Sequence, residues 1–224
     1  MSDLLNLEVL DADGAIRDAA EAAGLDRSAF LKRSALAGGG LIAGGAFFSQ
    51  YLGTAEAAIS KKRSKKNDVK ILNYALTLEF LEAAFYKQAV ANAAYGDSAV
   101  LKRFAEVVAE HEATHVKFLK GALGSAAIKS PKFDFKDAVT DVKKFAATAE
   151  VLEDTGVSAY LGQVTNLFQP AVLRAAGTIA TVEARHASWI RFINLETPAP
   201  AAFDKPKSEA ATLKAVTGTG FIVG

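Results

Sequence analysis

The feature that most constrains this 224-residue chain is a repeated Glu-x-x-His motif, in which a glutamate precedes a histidine by three residues. It occurs as Glu112-Ala-Thr-His115 and again as Glu183-Ala-Arg-His186. Residues three apart share one face of an α-helix, so each motif can direct a carboxylate and an imidazole to one point. About thirty residues before each motif stands a further glutamate, Glu79 and Glu153 respectively. Four helices that carry these side chains would form a two-metal site inside a helical bundle.

The composition is compatible with a helical fold. Half of the residues are hydrophobic and five are proline, which suits long helices packed around a sizeable core. The net charge of +1 gives no electrostatic reason to expect a nucleic-acid partner. Cysteine is absent, so the sequence excludes disulfides, iron–sulfur clusters and thiol catalysis.

Residues 1–57 have the features of an export signal. The basic stretch Arg27-Ser-Ala-Phe-Leu-Lys-Arg33 precedes a glycine-rich apolar run from Ala35 to Phe48, and Ala55-Glu-Ala57 follows. A basic start, a short apolar middle and a small-residue cleavage site predict a cleaved signal, and with it export to the periplasm or cell surface. The basic stretch resembles a twin-arginine signal, but Ser28 occupies the position of the second arginine, which leaves the export route open.

Three segments are expected after the signal. Residues 58–67 form a basic leader that contains Lys61-Lys-Arg-Ser-Lys-Lys66 and either stays solvated or makes weak contact with an acidic cell surface. Residues 68–195 carry apolar residues at intervals of three and four and predict four long helices. Residues 196–224 predict a tail in which the weak segment around Ser208 to Val216 is not a clear fifth helix. This tail can dock against the bundle or against a neighbouring subunit of a homo-oligomer.

Connection lengths predict how the four helices are arranged. A break at Gly96 and a helix start at Pro170 leave short turns within each pair of helices, so each pair is expected to be an antiparallel hairpin. A connector of about a dozen residues, near 123–135, joins the two pairs and can span the length of the bundle. The third helix is expected to start near Asp137. The predicted fold is therefore all-α, with two hairpins related by an approximate twofold axis and joined by a long crossover.

A tyrosine follows the upstream glutamate by seven residues in both halves of the chain. Tyr86 follows Glu79, and Tyr160 follows Glu153. Because seven residues are two helical turns, each tyrosine shares a face with its glutamate. The tyrosines are therefore candidates to hydrogen-bond the ligand carboxylates, and the alternative is that they only fill the core.

Three neighbouring side chains have other interpretations. Glu82 and Glu150 lie one turn from the preferred upstream glutamates and can replace them or add a shifting carboxylate. His111 directly precedes the first motif, so it is expected to point to another face as a surface or partly buried histidine. For the six-residue set as a whole, the alternative to a metal site is an exposed face of helix-pairing glutamates and histidines.

Residues 68–195 resemble the ferritin-like superfamily in the order Glu, Glu-x-x-His, Glu, Glu-x-x-His. The local sequences closest to the exported ferritin-like domain, which includes desiccation-related proteins, are Leu78-Glu-Phe-Leu-Glu-Ala-Ala-Phe-Tyr86, Gly156-Val-Ser-Ala-Tyr-Leu-Gly162 and Glu183-Ala-Arg-His-Ala187. The resemblance implies a ferritin-like antiparallel four-helix bundle. The proline-rich stretch that follows the fourth helix departs from cage-forming ferritins, so a hollow iron-storage shell is not expected.

The resemblance also implies a metal centre and a reaction class. Glu112 and Glu183 would bridge two divalent ions, either iron or manganese. The other ligands would be two terminal carboxylates and two imidazoles: Glu79, Glu153, His115 and His186. Such a centre predicts a di-metal oxidoreductase of ferroxidase or peroxide-dismutating type, which acts on ferrous iron, oxygen or peroxide in stress protection. The alternatives are a metal-binding bundle without turnover and a structural, desiccation-associated bundle.

Overall fold

Helices account for nearly all the regular structure of residues 58–223. The computed structural model describes residues 58–223, so the predicted export signal lies outside the described residues. Within this range lie five α-helices: α1 Lys65–Ala91, α2 Ala99–Leu123, α3 Val142–Gln163, α4 Pro170–Ile193 and α5 Glu209–Gly218. The same range has no β-strand beyond an isolated bridge between Phe133 and Ile222. None of its helices is long and apolar enough to cross a membrane. The all-α prediction is confirmed.

Side-chain caps determine where the helices begin. Of the four long helices, three follow a residue whose side chain accepts a backbone N–H hydrogen bond: Ser64 before α1, Ser98 before α2 and Asp141 before α3. Gln169, which precedes α4, makes no such bond. Asp68 of α1 instead accepts hydrogen bonds from the backbone N–H groups of Phe168 and Gln169, at 2.8 and 3.0 Å. This fully buried carboxylate therefore ties the start of α1 to the start of α4.

Two helix starts differ from the sequence expectation. The first helix begins at Lys65, so it includes the last residues of the basic leader. The third helix begins at Val142 rather than near Asp137, because Lys136–Val139 forms a separate 3₁₀ turn. Asp141 provides the cap that fixes the later start.

The helices form two antiparallel hairpins, as predicted. Asn73, near the start of α1, donates a 2.9 Å hydrogen bond to the carbonyl of Ala126, just beyond the end of α2. Asn194, at the end of α4, donates to the carbonyl of Ala146 near the start of α3, at 3.2 Å. Phe85, near the end of α1, lies 5.5 Å from the ring of Phe145 near the start of α3. The connector between α2 and α3 therefore crosses the length of the bundle.

Two apolar clusters occupy the interior, one on each side of a polar centre. In the larger cluster the ring of Phe85 lies 5.2 to 5.5 Å from those of Tyr86, Phe135 and Phe145. Burial of one such side chain contributes about 1.5 to 3 kcal/mol. The smaller cluster comprises Leu72, Ala75, Leu76, Phe80, Leu119, Leu123, Tyr160 and Ile179. On α2 the larger cluster ends at Val108 and the smaller begins at Leu119, so the first Glu-x-x-His motif lies between them.

The tail after α4 contains a short helix, which differs from the expectation of a weak segment. Ser208 caps α5, and Thr212 and Val216 of that helix are buried. Beyond α5, the backbone N–H of Asp134 donates to the carbonyl of Phe221 at 2.8 Å. The tail therefore packs against the crossover. With two buried positions among ten residues, α5 shows little of the apolar period by which longer helices are recognised.

Candidate metal centre

The structure brings all six predicted ligand residues together at the centre of the bundle. The four glutamates are fully buried, and the two histidines are 9% and 2% exposed. They form two overlapping groups in which the ligand atoms lie within 4.8 Å of one another, and each group can hold a metal ion. One group is Glu79, Glu112, His115 and Glu183, and the other is Glu112, Glu153, Glu183 and His186. The alternative of an exposed charged face is therefore excluded.

Glu112 and Glu183 belong to both groups, and each of these carboxylates has one oxygen in each group. The Nδ1 of His115 lies 3.3 Å from Oε2 of Glu112 and 3.0 Å from Oε1 of Glu183. The Nδ1 of His186 lies 3.2 Å from Oε1 of Glu112 and 3.6 Å from Oε2 of Glu183. Each shared carboxylate thus directs one oxygen to each histidine. This is the arrangement that two bridging carboxylates require.

Glu79 and Glu153 each face one histidine and one tyrosine. Their Oε2 atoms lie 3.2 Å from the Nδ1 of the nearer histidine. The hydroxyl of Tyr160 donates to Oε1 of Glu79, and that of Tyr86 donates to Oε1 of Glu153, both at 2.5 Å. Each tyrosine therefore bonds the glutamate of the other hairpin, because α1 and α3 run antiparallel. The hydrogen bonds fix one oxygen of each carboxylate and leave the other directed at the centre.

Several polar atoms of the centre are buried without a hydrogen bond. Among the described residues this holds for Oε1 of Glu112, Oε2 of Glu153, both oxygens of Glu183 and Nδ1 of His186. Buried polar groups without partners are costly, and charged ones more so. A cation among them would coordinate these atoms together. Carboxylates and imidazoles suit iron(II) and manganese(II), so the residues present fit such ions.

In the absence of metal, bound protons offset the negative charge of the clustered carboxylates. Burial raises the pKa of Glu79 well above its usual range, and it raises the pKa of Glu153 to about 8. Burial alone would lower the pKa values of His115 and His186, but the surrounding glutamates outweigh it and raise both to about 12. Burial opposes ionisation of Glu112 as well, yet the two nearby histidines outweigh it and lower the pKa of Glu112 to about 2. We therefore expect metal binding to displace protons from this centre.

Glu82, one of the two alternate ligands, lies beside the centre. It is 3% exposed, and burial raises its pKa well above the usual range. The negative charges of Glu183 and Glu153 raise the pKa further. A Cβ atom on Gly156 would lie 3.2 Å from Oε1 of Glu82 and 3.7 Å from Oε2 of Glu183. Glycine at this position thus leaves space for a further carboxylate. The sequence gives no signal for this contact, because Glu82 and Glu183 lie on other helices than Gly156.

Glu150, the other alternate ligand, is not part of the centre. Its Oε2 accepts a 2.7 Å hydrogen bond from Asn194, and its Oε1 lies 3.4 Å from Nη1 of Arg191. Both partners belong to the end of α4, which packs beside this part of α3 because the hairpin is antiparallel. Both oxygens of Glu150 therefore have partners outside the group of metal ligands, and the structure does not support Glu150 as an alternate ligand.

His111 is exposed, as expected, but it also contacts the centre. Its Nδ1 lies 2.9 Å from Nε2 of His186, the ring nitrogen that faces away from the carboxylates. The sequence places His111 next to Glu112 and gives no signal for this contact. The partner comes from α4, and the two residues are 75 positions apart.

Comparison with known proteins identifies the family. A family model described as a ferritin-like domain matches residues 67–196, which is more than half of the 224-residue chain. A search of curated protein sequences found no significant match. The matched range contains all six ligand residues of the centre, and it agrees with the resemblance found in the sequence. The closer relation to desiccation-related proteins stays a prediction. The chain belongs to the ferritin-like domain family.

Proposed function

We propose that this protein is a di-metal carboxylate oxidoreductase that binds two ions of iron or manganese and acts on ferrous iron, oxygen or peroxide. The observation that supports it is the division of the oxygens of Glu112 and Glu183 between two histidines inside a fully buried site. When bound, either metal would supply electron transfer by passing between its divalent and trivalent states. The biological role that we propose is protection against oxidative or desiccation stress.

The residues around the centre have separable tasks in this proposal. Glu112 and Glu183 would contribute oxygens to both ions, while Glu79 and Glu153 would each help to neutralise one of them. Tyr86 and Tyr160 orient the terminal carboxylates through their hydrogen bonds. The apolar clusters on both sides exclude bulk water. A low-dielectric, preorganised environment of this kind strengthens electrostatic interactions with the reacting species.

Burial of the centre restricts which substrates can react there. The carboxylates have no exposed surface, and the side chain of His115 is 11% exposed. Bulky organic substrates would therefore require the helices to separate. We propose that the reactants are small, namely dissolved oxygen, hydrogen peroxide and the metal ion itself.

Oxidant consumption by the metal-loaded chain tests the redox proposal. We expect protein loaded anaerobically with two equivalents of iron(II) to consume oxygen or peroxide faster than free iron(II), with formation of iron(III) absorbance. Manganese-loaded protein is expected to evolve oxygen from peroxide if the centre is of the dismutating type. An oxygen electrode and stopped-flow absorbance measure both reactions.

Two controls define the result. Glu150→Gln alters a glutamate of the same bundle outside the centre and should keep the activity, whereas Glu112→Gln should reduce it to the rate of free metal. Stoichiometric metal binding with no oxidant consumption in the unsubstituted chain would contradict the redox proposal. It would instead support the alternative of a metal-binding bundle without turnover.

We also propose that the protein acts outside the cytoplasm. The support is the order of basic stretch, apolar run and Ala55-Glu-Ala57 within residues 1–57. Weak contact of the basic leader with an acidic cell surface and self-association stay predictions.

Mass spectrometry of the protein from its native source tests the export proposal. We expect the mature chain to begin at Ala58, because a signal peptidase would cleave after the small residue Ala57. The mature protein should be found in the periplasmic or surface fraction. Recovery of full-length protein from the cytoplasm alone would refute export.

A further inference from the structure

The two histidines of the metal centre have different surroundings. The Nε2 of His186 has a partner in His111, and the two ring centroids are 5.1 Å apart with planes inclined by 20°. Among residues 58–223, His115 is hydrogen-bonded through its Nδ1, to Glu79 and Glu112, and its Nε2 has no protein acceptor. His111 itself is exposed, so its ring lies between the buried centre and solvent.

The approximate twofold relation between the hairpins shows how this asymmetry arises. Each motif has one residue directly before its glutamate, His111 before Glu112 and Val182 before Glu183. In the first half this residue reaches the motif histidine of the second half. In the second half the corresponding side chain is an aliphatic valine, which cannot accept a hydrogen bond. The chain therefore provides a ring acceptor for one motif histidine only.

The contact determines how His186 presents itself to a metal. Its Nδ1 lies 3.2 to 3.6 Å from three carboxylates, so this nitrogen is the one available as a ligand atom. A neutral imidazole that binds metal through Nδ1 carries its proton on Nε2. That N–H can donate to Nδ1 of His111, whose own proton is then on Nε2. The hydrogen bond thus holds both the ring orientation and the tautomer of His186.

We infer that His111 is a positioning residue that makes the metal position beside His186 and Glu153 the tighter of two unequal positions. The inference rests on the proposed two-metal centre. Partners that orient a metal-binding histidine typically change metal affinity by about 10- to 100-fold. The position beside His115 and Glu79 lacks such a partner and should fill second.

Manganese(II) titration of the full-length, metal-free chain tests the inference, with free manganese followed by electron paramagnetic resonance. Unsubstituted protein should show two binding steps of unequal affinity. His111→Leu should weaken the first step by about 10- to 100-fold and leave the second unchanged. His111→Asn keeps an acceptor near the position of Nδ1, so it should restore most of the lost affinity. His111 is exposed, and these substitutions should leave the unfolding temperature of the metal-free protein nearly unchanged.

Val182→His is the matched gain-of-function variant. It places an imidazole at the corresponding position of the second motif, and it should strengthen the second binding step. Two unequal steps that His111→Leu leaves intact would overturn the role of His111 while keeping the metal centre. Equal weakening by His111→Leu and His111→Asn would also overturn it, because an acceptor would then be irrelevant. Absence of manganese binding in the unsubstituted chain would refute the proposed centre itself.

Discussion

The double variant Glu112→Gln, Glu183→Gln is expected to lower the bound metal from about two ions per chain to nearly none. Both residues contribute oxygens to both groups of ligand atoms, so each group loses two of its three carboxylates. Glutamine keeps the volume of glutamate but cannot supply a negative bridging oxygen. Elemental analysis after anaerobic exposure to iron(II) and manganese(II) in competition measures the loss and also the preferred metal.

Glu150→Gln is the matched control for this experiment. It makes the same chemical change on α3, but Glu150 contacts Asn194 and Arg191 rather than the centre. We expect it to keep the metal content of the unsubstituted protein. Circular dichroism should show that both proteins are folded. Retention of both ions by the folded double variant would contradict the bridging assignment.

The metal-free and metal-loaded proteins are expected to respond to pH in opposite directions. Folding raises the pKa of Glu153 from 4.5 to about 8, so the folded state binds this proton more tightly than the unfolded state does. The stabilisation that the proton provides is therefore lost as pH rises through this interval. The pKa values of His115 and His186 rise from 6.5 to about 12, so their contribution is complete below pH 6.5 and falls above it. Glu112, with its pKa lowered to about 2, contributes fully above pH 4.5 and loses its contribution only in acid. Between pH 6.5 and about 8, the free energy of unfolding of the metal-free protein should therefore decrease.

Bound metal reverses this trend. Metal binding releases the protons held by the carboxylates and histidines, so affinity increases with pH. At a metal concentration of about 1,000 times the dissociation constant, each ion adds about 4 kcal/mol to the stability. Thermal unfolding with chelator and with saturating manganese(II) should give midpoints that move apart from about pH 6 to about pH 8. Midpoints that stay parallel over this range would show that no protons are displaced.

The sequence was sufficient to predict the all-helical fold and to select six residues that the structure brings together. Helical spacing places both members of each Glu-x-x-His motif on one face, and the short turns force neighbouring helices to be antiparallel. These two constraints place Glu79 and Glu153 at the same height along the bundle axis as the two Glu-x-x-His motifs. The tyrosines were also found, because they repeat at the same offset in both halves.

Contacts between segments that are distant in the chain could not be predicted from the sequence. The sequence does not show that Tyr86 and Tyr160 bond the glutamates of the opposite hairpins, because that depends on the relative position of α1 and α3. Glu82 and Glu150 occupy equivalent offsets, yet Glu82 packs against Gly156 beside the centre while Glu150 faces the end of α4. Their different environments arise from neighbours that are distant in sequence.

Anomalous diffraction from crystals of the full-length protein, prepared anaerobically with manganese(II), tests the central claim most directly. We expect two manganese peaks in the buried space between Glu112 and Glu183, one beside His115 and the other beside His186. Manganese bound only at the protein surface, with the carboxylates of the centre bonded to one another, would contradict the assignment of a two-metal site.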